Sequence, residues 1–183
     1  MASSSSPDAG TVLAEWQAAD AAIRARITGF GIATREQVSG RTGLEVLQAL
    51  LSGELPAPPI GETLDFLPIE VERGRALFQG RPQRRHYNPL GTVHGGWFAT
   101  LLDSCMGCAV HTTMPVGRAY TTGELKINIV RPLSDKVPLV RAEGRVIHEG
   151  RRMSTADGRL FGADGKLYAH GSTTCFVYDV AEG

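Results

Sequence analysis

Between Trp97 and Val110 the chain is almost wholly apolar and carries a single charge, Asp103. A bilayer core needs about 20 apolar residues in a helix, so this run is too short to span one. It reads instead as a helix, about His94 to His111, buried on every side. Its small residues Ala99, Gly107 and Ala109 let neighbours pack closely around it. Strand patterns flank it. Phe66–Val71 and Arg75–Gln79, joined by a turn at Arg73-Gly74, come before it. After it, Tyr120–Arg131 alternates Leu125, Ile127 and Ile129 against Glu124, Lys126 and Asn128. Pro138–His148, Arg151–Ala163 and Leu167–Tyr178 follow, with Asp164-Gly165 as a hairpin turn. Consecutive strands on short turns predict an antiparallel meander. A lone apolar helix between two blocks of strand is best buried by one curved sheet wrapped around it, an α+β architecture.

The N-terminal third reads differently. Residues 1–10 are small and polar and are predicted to be disordered. From Val12, the spacing of Leu13, Trp16, Ala19, Ile23 and Ile27 predicts a helix that ends at Gly29. Thr42 and Glu45 form a capping-box pattern ahead of Leu44, Leu47, Leu50 and Leu51, and Gly53 closes that second helix. Leu55–Ile60 holds Pro56, Pro58 and Pro59 and is predicted to be an extended connector. Residues 1–54 are therefore read as a helical extension and residues 55–183 as the main domain, without internal repeats.

Lysine plus arginine equals aspartate plus glutamate at 19 each, which excludes bulk electrostatic binding of nucleic acid or an anionic membrane. The zero conceals a split. Residues 1–72 hold ten acids and four bases, and residues 73–183 hold nine acids and fifteen bases. Such halves either attract one another or leave a local anion site in the second. Arginine outnumbers lysine 16 to 3, which suits phosphate binding but would also follow from a GC-rich genome. Three cysteines cannot form a complete set of intrachain disulfides, so a reducing cytoplasm is expected. Met1-Ala2 and Ser3–Ser6 have no basic segment and no apolar core, so no signal peptide is expected.

The most informative stretch is Asn88-Pro89-Leu90-Gly91-Thr92-Val93-His94-Gly95-Gly96, followed by Thr100-Leu101-Leu102-Asp103. It resembles the hotdog-fold thioesterases, specifically the PaaI-like (phenylacetyl-CoA thioesterase-like) acyl-CoA thioesterases. Those carry Asn-Pro-x-Gly-x-x-His-Gly-Gly and an acid nine residues after the histidine, the spacing of His94 and Asp103. Thr121-Thr122-Gly123-Glu124-Leu125-Lys126 and Arg131-Pro132 are also similar, so the resemblance runs from about Leu55 to Val177. It implies a hotdog fold, a homodimer or dimer of dimers, and active sites shared between subunits. Asp103 of one chain would face the Asn88–Gly95 region of the other.

The chemistry can be argued beside the resemblance. Gly95 and Gly96 open the long helix, where amide N–H groups lack partners and the dipole is positive. An oxygen gaining negative charge is stabilised there, and glycine lets a substrate come close. Asp103 lies about two and a half turns further on, too far to serve that end within one subunit. An acid in an apolar helix is costly to bury. Asp103 is thus read as a general base for water or a nucleophile forming an anhydride, against a structural aspartate bonded to nearby backbone. Asn88 would bond the carbonyl or the water, or is simply the turn residue before Pro89. His94 would polarise the carbonyl, or only orients the helix start. The family pattern gives Thr122 a role in holding the water; otherwise it is an ordinary strand residue.

Arg73, Arg75, Arg81, Arg84 and Arg85 form one basic cluster, and Arg151-Arg152 follows Gly150 at a turn. The latter pair could grip the phosphates of coenzyme A, though any single arginine more simply belongs to a solvated face. Cys105-x-x-Cys108-x-x-His111 offers too few ligands for a closed zinc site. No metal or cofactor is therefore expected, coenzyme A being part of the substrate. Trp97, Phe98 and Met106 are read as core or acyl-pocket lining. The expected activity is hydrolysis of an aryl- or medium-chain acyl-CoA to free acid and CoA. The alternatives are a non-catalytic acyl-CoA-binding hotdog module or, less well supported, an enoyl-CoA hydratase. The acidic extension is expected to pack on the domain and leave an Arg-rich CoA entrance open.

Overall fold

The computed structural model describes residues 8–180. In chain order these form α1 (Ala9–Arg24), α2 (Arg35–Val38), α3 (Gly43–Ser52), α4 (Pro59–Leu64), β1 (Phe66–Glu72) and β2 (Arg75–Gly80). A 3-10 turn at Arg84–His86 leads to α5 (Gly95–His111), and β3 (Arg118–Ile129), β4 (Val140–His148), β5 (Met153–Gly162) and β6 (Leu167–Asp179) complete the chain. One antiparallel sheet runs in the order β1-β2-β4-β5-β6-β3. It curls around α5, which touches all six strands. This is the hotdog arrangement.

The strand order corrects one expectation. β4, β5 and β6 form a meander, but β3 pairs with β6, and β4 pairs with β2. A link of ten residues, 130–139, carries the chain from β3 to β4. No tight turn ties these two strands together, and β4 instead takes the open side of β2. The sheet edges β1 and β3 then face each other across one side of α5. Phe66 and Tyr120 there border one cavity together with Asp103 and Cys108.

Enclosure demands close approach. Leu101, Leu102, Cys105, Met106, Ala109 and Val110 of α5 are fully buried. Beneath them Gly144 of β4 and Gly158 of β5 are direct partners across the sheet. A Cβ on Gly144 would lie 2.3 Å from the Cys105 carbonyl oxygen, and one on Gly158 would lie 2.8 Å from Met106 Cγ. The helix rests in a trough made by the missing side chains.

The helices of the first 64 residues depart from the sequence pattern in several places. α1 begins at Ala9 with Asp8 as its cap, so Ala9 and Gly10 are helical; the rest of the expected disordered stretch lies outside the described residues. α1 also stops at Arg24, short of the predicted Gly29. α2 has no apolar periodicity and escaped prediction, but Thr34 and Gln37 give it a complete capping box. α3 has both arms of the predicted box, Thr42 with Glu45, and ends at Gly53 with φ 79°. The proline segment is only half extended. Pro59 occupies the first position of α4, where its missing N–H costs nothing.

The opposite charges of the two halves meet. Asp20 of α1 is fully buried and accepts from Arg24 Nε at 2.8 Å and from Arg81. Gln79 of β2 donates to the Trp16 carbonyl at 3.1 Å and to Asp20 at 3.3 Å. Arg141 donates to Gln79 at 2.8 Å and lies 4.5 Å above the Trp16 ring. Part of the Arg cluster is thus consumed by the extension.

Gly144→Ala should destabilise the chain by about 3 kcal/mol in urea unfolding, because the new methyl meets a helix carbonyl that cannot move aside. Gly29→Ala, whose Cβ would meet nothing within 4 Å, is the control and should be near neutral.

Candidate active site

Asp103 projects from the middle of α5 into the gap between the two sheet edges. It is half-buried, not enclosed, because that side of the helix is the one the sheet leaves open. Its Oδ1 accepts from Thr122 Oγ1 at 2.9 Å. Beside it lies a cavity of about 180 Å³ walled by Ile60, Phe66, Phe78, Cys108 and Tyr120. Asp103 is the one charged residue in that lining. Burial, and then the Asp103 carboxylate, push the Cys108 thiol up to about 12. Burial also holds the Tyr120 phenol well above its usual range. Both groups stay neutral.

The second cluster sits at the start of α5. Asn88 Oδ1 accepts the N–H groups of Leu90 at 2.9 Å and Thr92 at 3.3 Å, and its Nδ2 donates to Thr92 Oγ1 at 3.0 Å. The side chain builds its own turn, as asparagine favours. His94 caps the helix, its Nδ1 accepting the Gly96 N–H at 2.8 Å. Neutral His94 must then carry its proton on Nε2. The same bond occupies the Gly96 amide, so Gly96 does not offer the open donor that its position suggests. Gly95 does: no acceptor meets its N–H among the described residues. A Cβ at Gly95 would lie 3.2 Å from Ile129 Cδ1, so a side chain there would need that methyl to give by a few tenths of an ångström.

Eight residues of helix separate Gly95 from Asp103, about 12 Å along the axis. The chain therefore brings Asp103 to Thr122, and Asn88 to His94 and Gly95, as two separate groups. Arg151 and Arg152 are exposed in the β4–β5 turn. Arg152 lies two residues from Ser154, which is in register with Cys175 and Thr122, so it is about 7 Å along the sheet from the Thr122 row. Among the other arginines, Arg73 pairs with Glu149, and Arg75 with Glu70, Glu72 and Glu143. Cys108 and His111 both meet Tyr120, the His111 and Tyr120 ring centroids lying 5.6 Å apart. Cys105 donates to the Leu102 carbonyl, and no three metal-ligating side chains gather among the described residues.

Two residues of these surroundings gave no signal in the sequence. Tyr120 read as an ordinary strand residue, yet a Cβ on Gly107 would lie 2.7 Å from its hydroxyl. His86 lies in the Arg81–Leu90 stretch between Pro82 and Pro89, yet its ring stacks on Trp97 with centroids 5.8 Å apart.

Residues 90–169 match the Thioesterase superfamily. A relative in Saccharolobus solfataricus, "Putative esterase SSO2140", is 32% identical over 113 residues, which are 62% of this chain and 79% of the relative. The chain belongs to the Thioesterase superfamily. The matched segment holds His94, Gly95, Gly96, Asp103, Thr122, Arg151 and Arg152, but not Asn88. "Putative esterase F42H10.6" of Caenorhabditis elegans is 31% identical over 112 residues, 60% of this chain, and the chain spans 64% of that relative's length. A solved thioesterase-type structure from Ralstonia eutropha JMP134, described as a phenylacetic acid degradation-related protein, superposes with a TM-score of 0.65 at 29% identity. That superposition covers 71% of this chain and 98% of the other. No helix among the described residues of this superfamily member is long and apolar enough to cross a membrane.

Burial holds the imidazoles of His86 and His111 below the ordinary 6.5. The folded chain keeps both neutral where the unfolded chain binds protons, so their contribution to stability is full above pH 6.5 and drains as pH falls below it. The melting temperature should therefore drop between about pH 7 and about pH 5, and His111→Phe should make that drop shallower.

Proposed function

We propose that this chain is an acyl-CoA thioesterase that hydrolyses an aryl- or medium-chain acyl-CoA to the free acid and coenzyme A. The observation that carries the reading is the division of labour along α5: a carboxylate held by Thr122 beside an apolar cavity, and a free Gly95 N–H at the positive end of the same helix. Thioester hydrolysis needs both within a few ångströms of one carbonyl. At about 12 Å apart they serve different sites, and a second copy must complete each. The twelve-residue edge strand β3 supports such pairing, because a long unpaired edge invites another strand.

In this reading, Asp103 of one chain acts at a thioester whose carbonyl oxygen meets Gly95 of the other. As general base it takes a proton from a water held with Thr122; the water oxygen attacks the carbonyl carbon and the C–S bond breaks. As nucleophile its oxygen attacks directly, and water then opens the mixed anhydride. Either way the Gly95 N–H receives the charge on the carbonyl oxygen, and the sulfur leaves as thiolate and takes up a proton. The cavity of about 180 Å³ beside Asp103 supports a compact acyl group, since an apolar cavity of about 150 Å³ accepts benzene. In this reading Arg151 and Arg152, exposed in the β4–β5 turn, meet the phosphates of CoA.

Thiol release from a panel of acyl-CoAs tests the activity. Asp103→Asn should lower kcat by about 10²-fold or more with little change in KM; full activity in that variant, or no turnover of any acyl-CoA by the wild-type chain, would refute the reading. Subunit sharing has its own check. Asp103→Asn and His94→Ala, each impaired alone, should regain partial activity when their subunits are exchanged, whereas sites contained in single chains would regain none.

A further inference from the structure

A cleft of about 340 Å³ opens beside the first turn of α5, lined by Arg85, His86, Tyr87, His94 and Trp97, and no acidic residue lines it. His86 is the unusual member. It is only 7% exposed and stacks on Trp97. Its Nδ1 accepts the Gln83 N–H at 3.2 Å. Burial, with Arg85 close by, keeps the ring neutral, so its one proton sits on Nε2. That Nε2–H is buried and has no partner among the described residues.

His94 repeats the arrangement. Its Nδ1 is engaged by the Gly96 N–H, and no partner meets its Nε2 among the described residues. Arg85 is held only loosely, 3.9 Å from Asp65, and is more than half exposed. The Tyr87 hydroxyl is committed to Asp135, at 2.7 Å. The lining residues thus carry three sets of N–H donors and no carboxylate, with Trp97 as an apolar side. Backbone amides engage Nδ1 of both imidazoles, so neither ring offers a cation that acceptor.

We propose that this cleft is a recognition subsite for an anionic oxygen group, a carboxylate or a phosphate, bound by His86 Nε2–H, His94 Nε2–H and the Arg85 guanidinium. It deepens the thioesterase reading, since His94 and the neighbouring Gly95 serve both. A ligand whose carbonyl lies at Gly95 would place a second polar group here. That group is either a phosphate of its CoA portion or a carboxylate on its acyl portion.

Nitrogen-detected NMR of the histidine side chains in the full-length ¹⁵N-labelled chain tests the proposal. The probes are inorganic phosphate, adenosine 3′,5′-bisphosphate, phenylacetate and the neutral phenylacetamide. The His86 Nε2 resonance should move and saturate with an anion and stay in place with the amide. Arg85→Gln should weaken that binding by about tenfold. His86→Phe, which keeps a ring against Trp97, should abolish it, read by the His94 resonance. Arg85→Gln, altering an exposed side chain, decides the matter if His86→Phe does not fold. A response to phosphate and the bisphosphate places the CoA portion in the cleft; a response to phenylacetate alone places the acyl portion there. No response to any anion, or an equal response to phenylacetamide, overturns the proposal. Thiol release is measured apart from this. An inactive chain whose His86 responds would sink the thioesterase reading and keep the subsite; an active chain whose His86 is silent would do the reverse.

Discussion

A helix that is apolar on every face cannot lie on a sheet; it has to be enclosed by one. That constraint on α5 accounts for most of what surrounds it. Six antiparallel strands curl until their edges confront each other, and the glycines at 144 and 158 remove the side chains that would hold the helix away. Closure by a single sheet is still incomplete. The one gap, between β1 and β3, is where the lone acid of the helix emerges beside Thr122. Asp103 is tolerated because it lies on a side of α5 that is only half-buried among the described residues.

The two ends of the helix's exposed line differ in chemistry. At the start, His94 spends its Nδ1 on capping, and that one bond has three effects. It satisfies an orphan amide, fixes the imidazole tautomer, and leaves Gly95 as the unoccupied donor at the positive end. In the middle, burial keeps Cys108 and Tyr120 neutral beside the Asp103 carboxyl. Donor and carboxylate stand apart in one chain, which gives the open edge of β3 a significance beyond its own unpaired backbone.

Local signals in the sequence were read well where local physics decides. The apolar run located α5, alternation located the strands, and Thr42 with Glu45 announced the cap of α3. The spacing of the Asn88–Gly96 motif and Asp103 identified the elements that carry the candidate site. What escaped depends on distant partners. The place of β3 beside β6 follows from how the sheet closes, not from any turn. The glycine trough becomes visible only once Gly144 and Gly158 are in register. His86 looked like any loop histidine until Trp97 lay against it. Asn88 shows the opposite limit: its motif was plain, but only the structure reveals that its side chain is spent on Leu90 and Thr92.

The buried carboxylate of Asp20 reaches further than the helix that carries it. It grips Arg81, whose own amide bonds the Asp65 carbonyl at 2.9 Å, just where the chain leaves β2. From that root the loop runs through His86 and Asn88 to Val93, whose amide is held by the Leu133 carbonyl at 3.0 Å. The loop is thus moored at both ends, and one mooring belongs to α1. Trimming this protein to its sheet and central helix would remove one of those moorings. It would set free the segment that carries His86 and His94.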